Sequence, residues 1–249
     1  ERIDQLAGDS PAINTGELFG ADGILKPGPD DWQIYQEPED NHQYIVSVDT
    51  AHGVEEGDFS CIQVLDRTER VQVAEYYART PPDTVAAQAY YVATLYNDAL
   101  LVPEIDGPGL AVVKELLDFG YNNIYVRSIN SVNWTQRYGF RTQAKGERDA
   151  MIAALGQAIR LDTHTFNSNR FLSECKVFVE TAKGRYEAMP GEHDDAVMAM
   201  AIAIYVDSLL EDAAISEPVR KQNLSRDSVA QFIDADEEDR DPHLGVWWK

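Results

Sequence analysis

Residues 44–78 read YIVSVDTAHGVEEGDFSCIQVLDRTERVQVAEYYA, and the fold is decided there. Three apolar runs rich in β-branched and aromatic residues (44–50, 59–66 and 70–78) are separated by a glycine-bearing loop, HGVEEGD, and by a short polar turn. Runs of that length and composition, so spaced, predict a three-stranded antiparallel meander. Pro81-Pro82-Asp83 ends the third run and starts a helix over 83–98, with Val85, Ala89, Val92, Ala93 and Tyr96 on one face. LLVPEI (100–105) reads as a short buried strand, 107–121 as a helix and 124–126 as a fifth strand. The order β-β-β-α-β-α-β predicts an α/β domain with a central mixed five-stranded sheet flanked by helices.

Further out the signals thin. Residues 128–145 are polar and aromatic and support no assignment. A helix is expected from 147 to 160, a shorter one near 169–176, and a hairpin over 178–189 turning at Lys183-Gly184. The last strong element is a helix over 194–210, opened by two aspartates. Residues 1–43 are rich in Gly, Pro, Asp and Asn and read as a linker with one short strand around Trp32 to Tyr35. Residues 211–249 turn acidic and end in Trp247-Trp248, which suits either a docking peptide or a free end. Three regions result: 1–43, a domain over 44–210, and an acidic tail over 211–249.

Composition sets bounds on function. With 249 residues and 44% hydrophobic content the chain can bury a core without disulfides or a structural metal. Its two cysteines, Cys61 and Cys175, form no CxxC pair and read as buried thiols, which fits a reducing compartment. No apolar stretch approaches the ~18 residues of a membrane span, so no membrane partner is expected. The chain opens on Glu1, with no secretion signal, and reads as a piece of a longer protein. The net charge of −22 is unlike that of a protein that grips nucleic acid unaided, because neutralising phosphates needs a basic surface. Asp exceeds Glu and Arg exceeds Lys, which a salt-adapted surface would also show.

Chemistry enters with the carboxylates. Asp49 ends the first strand, Glu104 ends the fourth, and Asp194 and Asp195 open the final helix. In the expected topology the first and fourth strands lie side by side in parallel, so their ends meet at one edge. A helix docked on the sheet would bring its first turn to the same place. Three clustered carboxylates repel one another unless a positive charge sits among them, and hard divalent cations take oxygen ligands. Two such ions suit phosphodiester cleavage. Taken singly, each residue has a plainer reading: Asp49 as a turn residue, and Asp194 and Asp195 as helix caps. Glu104 is harder to dismiss, because an idle charge inside an apolar strand is costly.

The segments VSVDTAHGVEEGDFSCIQVLD (46–66), PEIDGPG (103–109) and GRYEAMPGEHDDAVMAMAIA (184–203) resemble the nuclease domain of viral, phage-type terminase large subunits. FRTQAKGERDAMIAALGQAI (140–159) is similar to the same family, so the likeness covers about 45–208. The resemblance implies a ribonuclease H-like fold and a two-metal endonuclease that cuts concatemeric viral double-stranded DNA during genome packaging. It implies Mg²⁺ or Mn²⁺, two ions, held by Asp49, Glu104 and Asp195, with Asp194 as a neighbouring ligand or a group just behind the ligands. Asp58 would hold a water at the metals, and His193 would orient a water or carboxylate, or simply stand beside the helix start. Lys145 and Arg141 would contact phosphate or serve as ordinary surface charge, while Asp106 is not expected to be an essential ligand.

The implied partners are double-stranded DNA, an ATPase domain of the same full-length chain, the portal protein and the small terminase subunit. The implied location is the host cell cytoplasm, transiently docked on the procapsid. The sequence departs from a whole large subunit in having no GxxxxGK[ST] phosphate loop, so residues 1–43 would lead from an ATPase domain lying outside this chain. Other ribonuclease H-like nucleases, such as a junction resolvase or transposase core, share the first-strand Asp and a later acidic pair. DTAHG (49–53) loosely resembles an actin-like phosphate loop, without the second loop that fold requires. A catalytically silent scaffold of the same fold is the remaining alternative.

Overall fold

Alternation in the first strand sends its side chains to two different cores. β3 (Tyr44–Asp49) directs Tyr44, Val46 and Val48 to one face of the sheet and Ile45 to the other. Five of its six residues are buried, as expected of a strand covered by helices on both sides. β3 pairs antiparallel with β4 (Ser60–Asp66), which pairs antiparallel with β5 (Val71–Ala78). On its other side β3 pairs in parallel with β6 (Leu100–Pro103). The meander and the parallel fourth strand are those read from the sequence.

The computed structural model describes Ile3 and residues 11–216, apart from 21, 22, 29, 55 and 183. The acidic tail beyond 216, with Trp247 and Trp248, and Lys183 of the expected hairpin turn lie outside the described residues.

Two features differ from the five-stranded expectation while leaving the α/β class intact. The segment ahead of Tyr44 contributes two sheet strands, β1 (Asn14–Gly16) and β2 (Trp32–Ile34), giving a six-stranded sheet in the order β1-β2-β5-β4-β3-β6. Trp32 is fully buried, ringed by Phe19 and Tyr76 with ring centroids 5.2 and 5.1 Å away. Its indole N–H donates to Gln88 Oε1 at 3.0 Å, and the Gln88 amide clasps the Phe19 backbone through both of its ends. The expected fifth strand at 124–126 is reduced to isolated bridges, Leu101 with Ile124 and Val126 with Tyr138.

Helices cover both faces. α1 (Pro82–Leu95) and α2 (Gly109–Asp118) pack on the face that carries Val46 and Val48. After the short α3 (Trp134–Arg137), the opposite face takes α4 (Glu147–Leu161), α5 (Asn169–Val177) and α6 (Asp195–Ser216). A small hairpin, β7 (Phe178–Glu180) with β8 (Tyr186–Ala188), projects between α5 and α6. Residues 196–204 of α6 are buried on every side, and its alanines let the helix backbone approach the sheet. Ser47 of β3 fixes that docking by donating to the Ala199 carbonyl at 2.7 Å. Among the described residues no helix is long and apolar enough to cross a membrane. Cys61 is buried, Cys175 is partly buried, and both are free thiols.

Candidate active site

Strand order alone brings Asp49 and Glu104 together. Glu104 follows β6 directly, and its backbone N–H donates to the Val48 carbonyl at 2.8 Å, extending the parallel ladder by one residue. The chain then turns sharply through Asp106 to reach α2. A Cβ at Gly109 would stand 1.6 Å from the Glu104 carbonyl oxygen, so the last glycine of PEIDGPG is required by the turn that sets Glu104. The other side of Glu104 bridges to Phe140 in parallel, and Thr142 Oγ1 hydrogen bonds Glu104 Oε1.

Asp195 arrives on α6. It is 8% exposed, and its Oδ2 accepts from the Phe59 backbone N–H at 3.3 Å and from the Tyr77 hydroxyl at 3.4 Å. His193 Nδ1 lies 3.6 Å from the same oxygen, with its ring edge-on to Phe59. Asp194 turns toward the hairpin, accepting from the Ala188 N–H at 3.3 Å with Arg148 Nη2 3.9 Å away. Asp194 also caps α6 through its backbone, the carbonyl taking the Met198 N–H at 2.8 Å.

Charge confirms that these groups sense one another. Burial pushes Asp49 well above the usual carboxylate range, and the carboxylates of Glu104, Asp195 and Asp194 push it further. Glu104 is raised by burial, against hydrogen bonds from Thr142 and Asp49 that hold it down. Burial lifts Asp195 to about 6, with the Phe59 N–H lowering it and Asp58 raising it. Asp194 is raised by burial, offset by Arg148. Each of the four favours its neutral form more than a free carboxylate does, chiefly because it is removed from water, with neighbouring negative charges adding to the effect.

Among the described residues no three His, Cys, Asp or Glu side chains stand ready-made for a metal ion. Their side chains are held by protein partners, Glu104 by Thr142 and Asp195 by the Phe59 N–H and the Tyr77 hydroxyl. The donor set nonetheless fits a hard divalent cation, being all carboxylate oxygen with raised proton affinity, which a cation would satisfy in place of the proton.

The remaining sequence candidates fall at varying distances. Asp58 is exposed on the loop after β3, and its charge reaches both Asp194 and Asp195. Arg141 is exposed but ion-paired with Asp106 at 3.1 Å, and Asp106 also takes the Gln143 N–H at 2.7 Å. Lys145 is exposed in the turn ahead of α4.

Several site residues escape sequence reading. Thr142 lies in the unassigned 128–145 stretch and gives no signal. Glu174 does: it falls three residues after Phe171 on the apolar face of α5, where a charge is out of place. There its Oε2 accepts from the Ala196 and Val197 N–H groups at 2.8 and 3.2 Å, capping the first turn of α6 beside Asp195. Burial lifts Glu174 to about 7, with the Tyr77 hydroxyl lowering it, and the same hydroxyl donates to Asp195 Oδ2 at 3.4 Å.

No family model and no curated protein matches the sequence. Solved structures do match. The large terminase nuclease from thermophilic phage G20c with bound magnesium superposes with a TM-score of 0.59 at 19% identity, covering 83% of this chain and 96% of that one. The same nuclease with bound cobalt gives 0.58 at 20% identity, over 80% of this chain and 93% of that one. The large terminase nuclease domain of Thermus phage P74-26 gives 0.56 at 18% identity, over 82% and 93%. The chain thus has the ribonuclease H-like fold of these large-terminase nuclease domains.

Proposed function

We propose that this chain is the nuclease domain of a viral terminase large subunit, a metal-dependent endonuclease that cuts concatemeric viral double-stranded DNA during packaging. The observation that supports the reading is that two neighbouring parallel strands and the start of a helix carry Asp49, Glu104 and Asp195 to one end of the sheet, where the charges of Glu104 and Asp195 both raise Asp49. The shared fold with nuclease domains supports it, as does the description of those relatives with magnesium or cobalt bound.

In this reading Asp49, Glu104 and Asp195 would hold two Mg²⁺ or Mn²⁺ ions, with Asp194 as a further ligand. When bound, such ions supply an activated water and stabilise the leaving oxygen of a phosphodiester. The protein's own work is positioning. Thr142 orients Glu104, while Phe59 N–H and the Tyr77 hydroxyl orient Asp195. Asp58 and His193 line the approach, the one for a water and the other beside the Asp195 carboxylate. The acidic surface fits a domain to which DNA is delivered by an ATPase domain of the full-length chain, with the portal protein and small subunit as assembly partners at a procapsid in the host cytoplasm.

The test is cleavage of plasmid and linear duplex by the 249-residue chain with Mg²⁺ or Mn²⁺, beside Asp195→Ala. Cutting by the parent chain and none by the variant is expected. If no cation supports cutting, or the substitution leaves it intact, the reading falls. A marked preference for branched over linear DNA would favour a junction resolvase.

A further inference from the structure

Arg79 follows the last residue of β5, and alternation places it on the same sheet face as Tyr77 and Asp49. Ser60 pairs with Ala78, so Phe59 and Arg79 stand opposite each other one step beyond the ladder. The result is a four-layer stack. The Arg79 guanidinium lies 3.8 Å over the Phe59 ring, Phe59 stacks on Tyr77 at 4.4 Å, and Arg170 lies 4.4 Å over the far face of Tyr77. Both central residues touch Asp195, Phe59 through its N–H and Tyr77 through its hydroxyl.

Arg79 is exposed, and its Nε donates to the Gly57 carbonyl at 2.8 Å. Among the described residues no carboxylate pairs with it and neither Nη has a hydrogen-bond partner. The backbone around it is tightly fitted: a Cβ at Gly53 would stand 2.5 Å from the Thr80 carbonyl. The guanidinium plane is thus fixed by stacking and by one carbonyl, while its two outer nitrogens face solvent. That is the preorganised fork suited to a phosphate.

Position across the sheet gives the fork its meaning. β5 is two strands from β3 on one side, and the Phe140 bridge that leads to Arg141 is two strand widths away on the other. At the usual strand spacing Arg79 and Arg141 flank Asp49 at about 10 Å on either side. Arg141 is already engaged by Asp106, whereas Arg79 is not.

We infer that Arg79 is a substrate-contacting residue that grips a backbone phosphate of the nucleic acid next to the one being cut. The inference rests on the nuclease reading above. It is tested by steady-state cleavage of linear duplex by Arg79→Ala, Arg79→Gln and Arg79→Lys, and by the salt dependence of duplex binding on an Asp195→Asn background. Loss of one phosphate contact should raise KM about tenfold with kcat nearly unchanged. It should also reduce the slope of log affinity against log salt by about 1 for Ala and Gln, with Lys restoring the slope.

Two results would overturn the role. One is parent-like KM and slope in Arg79→Ala. The other is a fall in kcat alone, which would mean that Arg79 merely props the Gly57 loop. Either leaves the nuclease reading standing as long as the parent chain cuts. A parent chain that neither cuts nor binds duplex overturns both.

Discussion

Asp49 ends β3, and Glu104 stands one residue past the end of the parallel strand β6 with its N–H on the Val48 carbonyl, so the Glu104 charge raises the Asp49 carboxyl further than burial alone does. Two ionised carboxylates at that edge would repel across a buried, poorly solvated gap. The folded site therefore takes up protons, or a cation, more readily than the unfolded chain does.

Stability should respond to pH accordingly. Asp195 rises from 3.8 to about 6 on folding, and Asp49 and Glu104 are raised too. Between the unfolded and folded values the folded state binds more protons, so stability is lost as pH rises through roughly 4 to 6. Cation-free protein should melt lower at pH 7.5 than at pH 5, and Mg²⁺ or Mn²⁺ should raise Tm by about 5 °C at pH 7.5 and far less at pH 5. Calorimetry on the parent and on Asp195→Asn separates this from general charge repulsion: the variant should show a flatter profile and a smaller cation shift. Equal cation shifts at both pH values would contradict the account.

On the proposed function, Tyr77 and Glu174 should affect metal-dependent cleavage without being ligands themselves. Groups that orient a ligand typically contribute 10–100-fold in metal affinity or activity. Tyr77→Phe, which removes the bond to Asp195 Oδ2, should raise the Mn²⁺ concentration for half-maximal cleavage by about tenfold while sparing Tm. Glu174→Ala should do the same and also cost roughly 1 kcal/mol of stability through the lost helix cap. Titration of cleavage against Mn²⁺ is the measurement, and an unshifted midpoint in both variants would refute the assignment.

Arg170 has a separate structural duty. Its Nη1 lies 3.1 Å from Glu75 Oε1, and the Glu75 side chain is fully buried in a polar network with Gln63. Removing one partner of a buried pair strands the other, at about 3–5 kcal/mol. Arg170→Ala should be destabilised by that order at pH 7.5, and by clearly less near pH 5, where Glu75, already raised by burial, takes a proton instead. Denaturant melts at the two pH values check the difference, and equal losses would argue against it.

The segment ahead of Tyr44 behaves, on its packing, as part of the domain. Trp32→Ala should cost about 3–5 kcal/mol by emptying a filled core site. Gln88→Ala should also destabilise, because it strands the Phe19 N–H and the Trp32 indole. If urea midpoints for both variants match the parent, 11–34 is dispensable to the fold.

The elements with strong period were legible in advance. Runs at 44–50, 59–66 and 70–78 appear as strands over 44–49, 60–66 and 71–78, and the helices expected at 147–160 and 169–176 lie at 147–161 and 169–177. Each of these buries one continuous apolar face, which local pattern reports directly. What was missed lacks such a pattern. The short strand around Trp32 was legible, but its pairing into the main sheet was not: Trp32 and Phe19 sit among glycines, prolines and acids, and the Gln88 that holds them is more than fifty residues away. Residues 128–145 hold only the short α3, yet they supply Phe140 and Thr142 to Glu104 through contacts that no local period encodes.

The sequence by itself determined the meander, the helices and the acidic residues at their ends, because apolar period and the cost of an idle buried charge act locally. Which carboxylates meet was decided by tertiary structure: the parallel pairing of β3 with β6, and the docking of α6 through Ser47 and Ala199. The same holds for the groups around them. Glu174 holding the α6 N-terminus, Tyr77 reaching Asp195, and the stack ending in Arg79 join residues 18 to 118 positions apart in the chain. Interactions over such separations arise only when strands and helices are packed, so the acidic residues themselves were legible in the sequence while the shell around them was not.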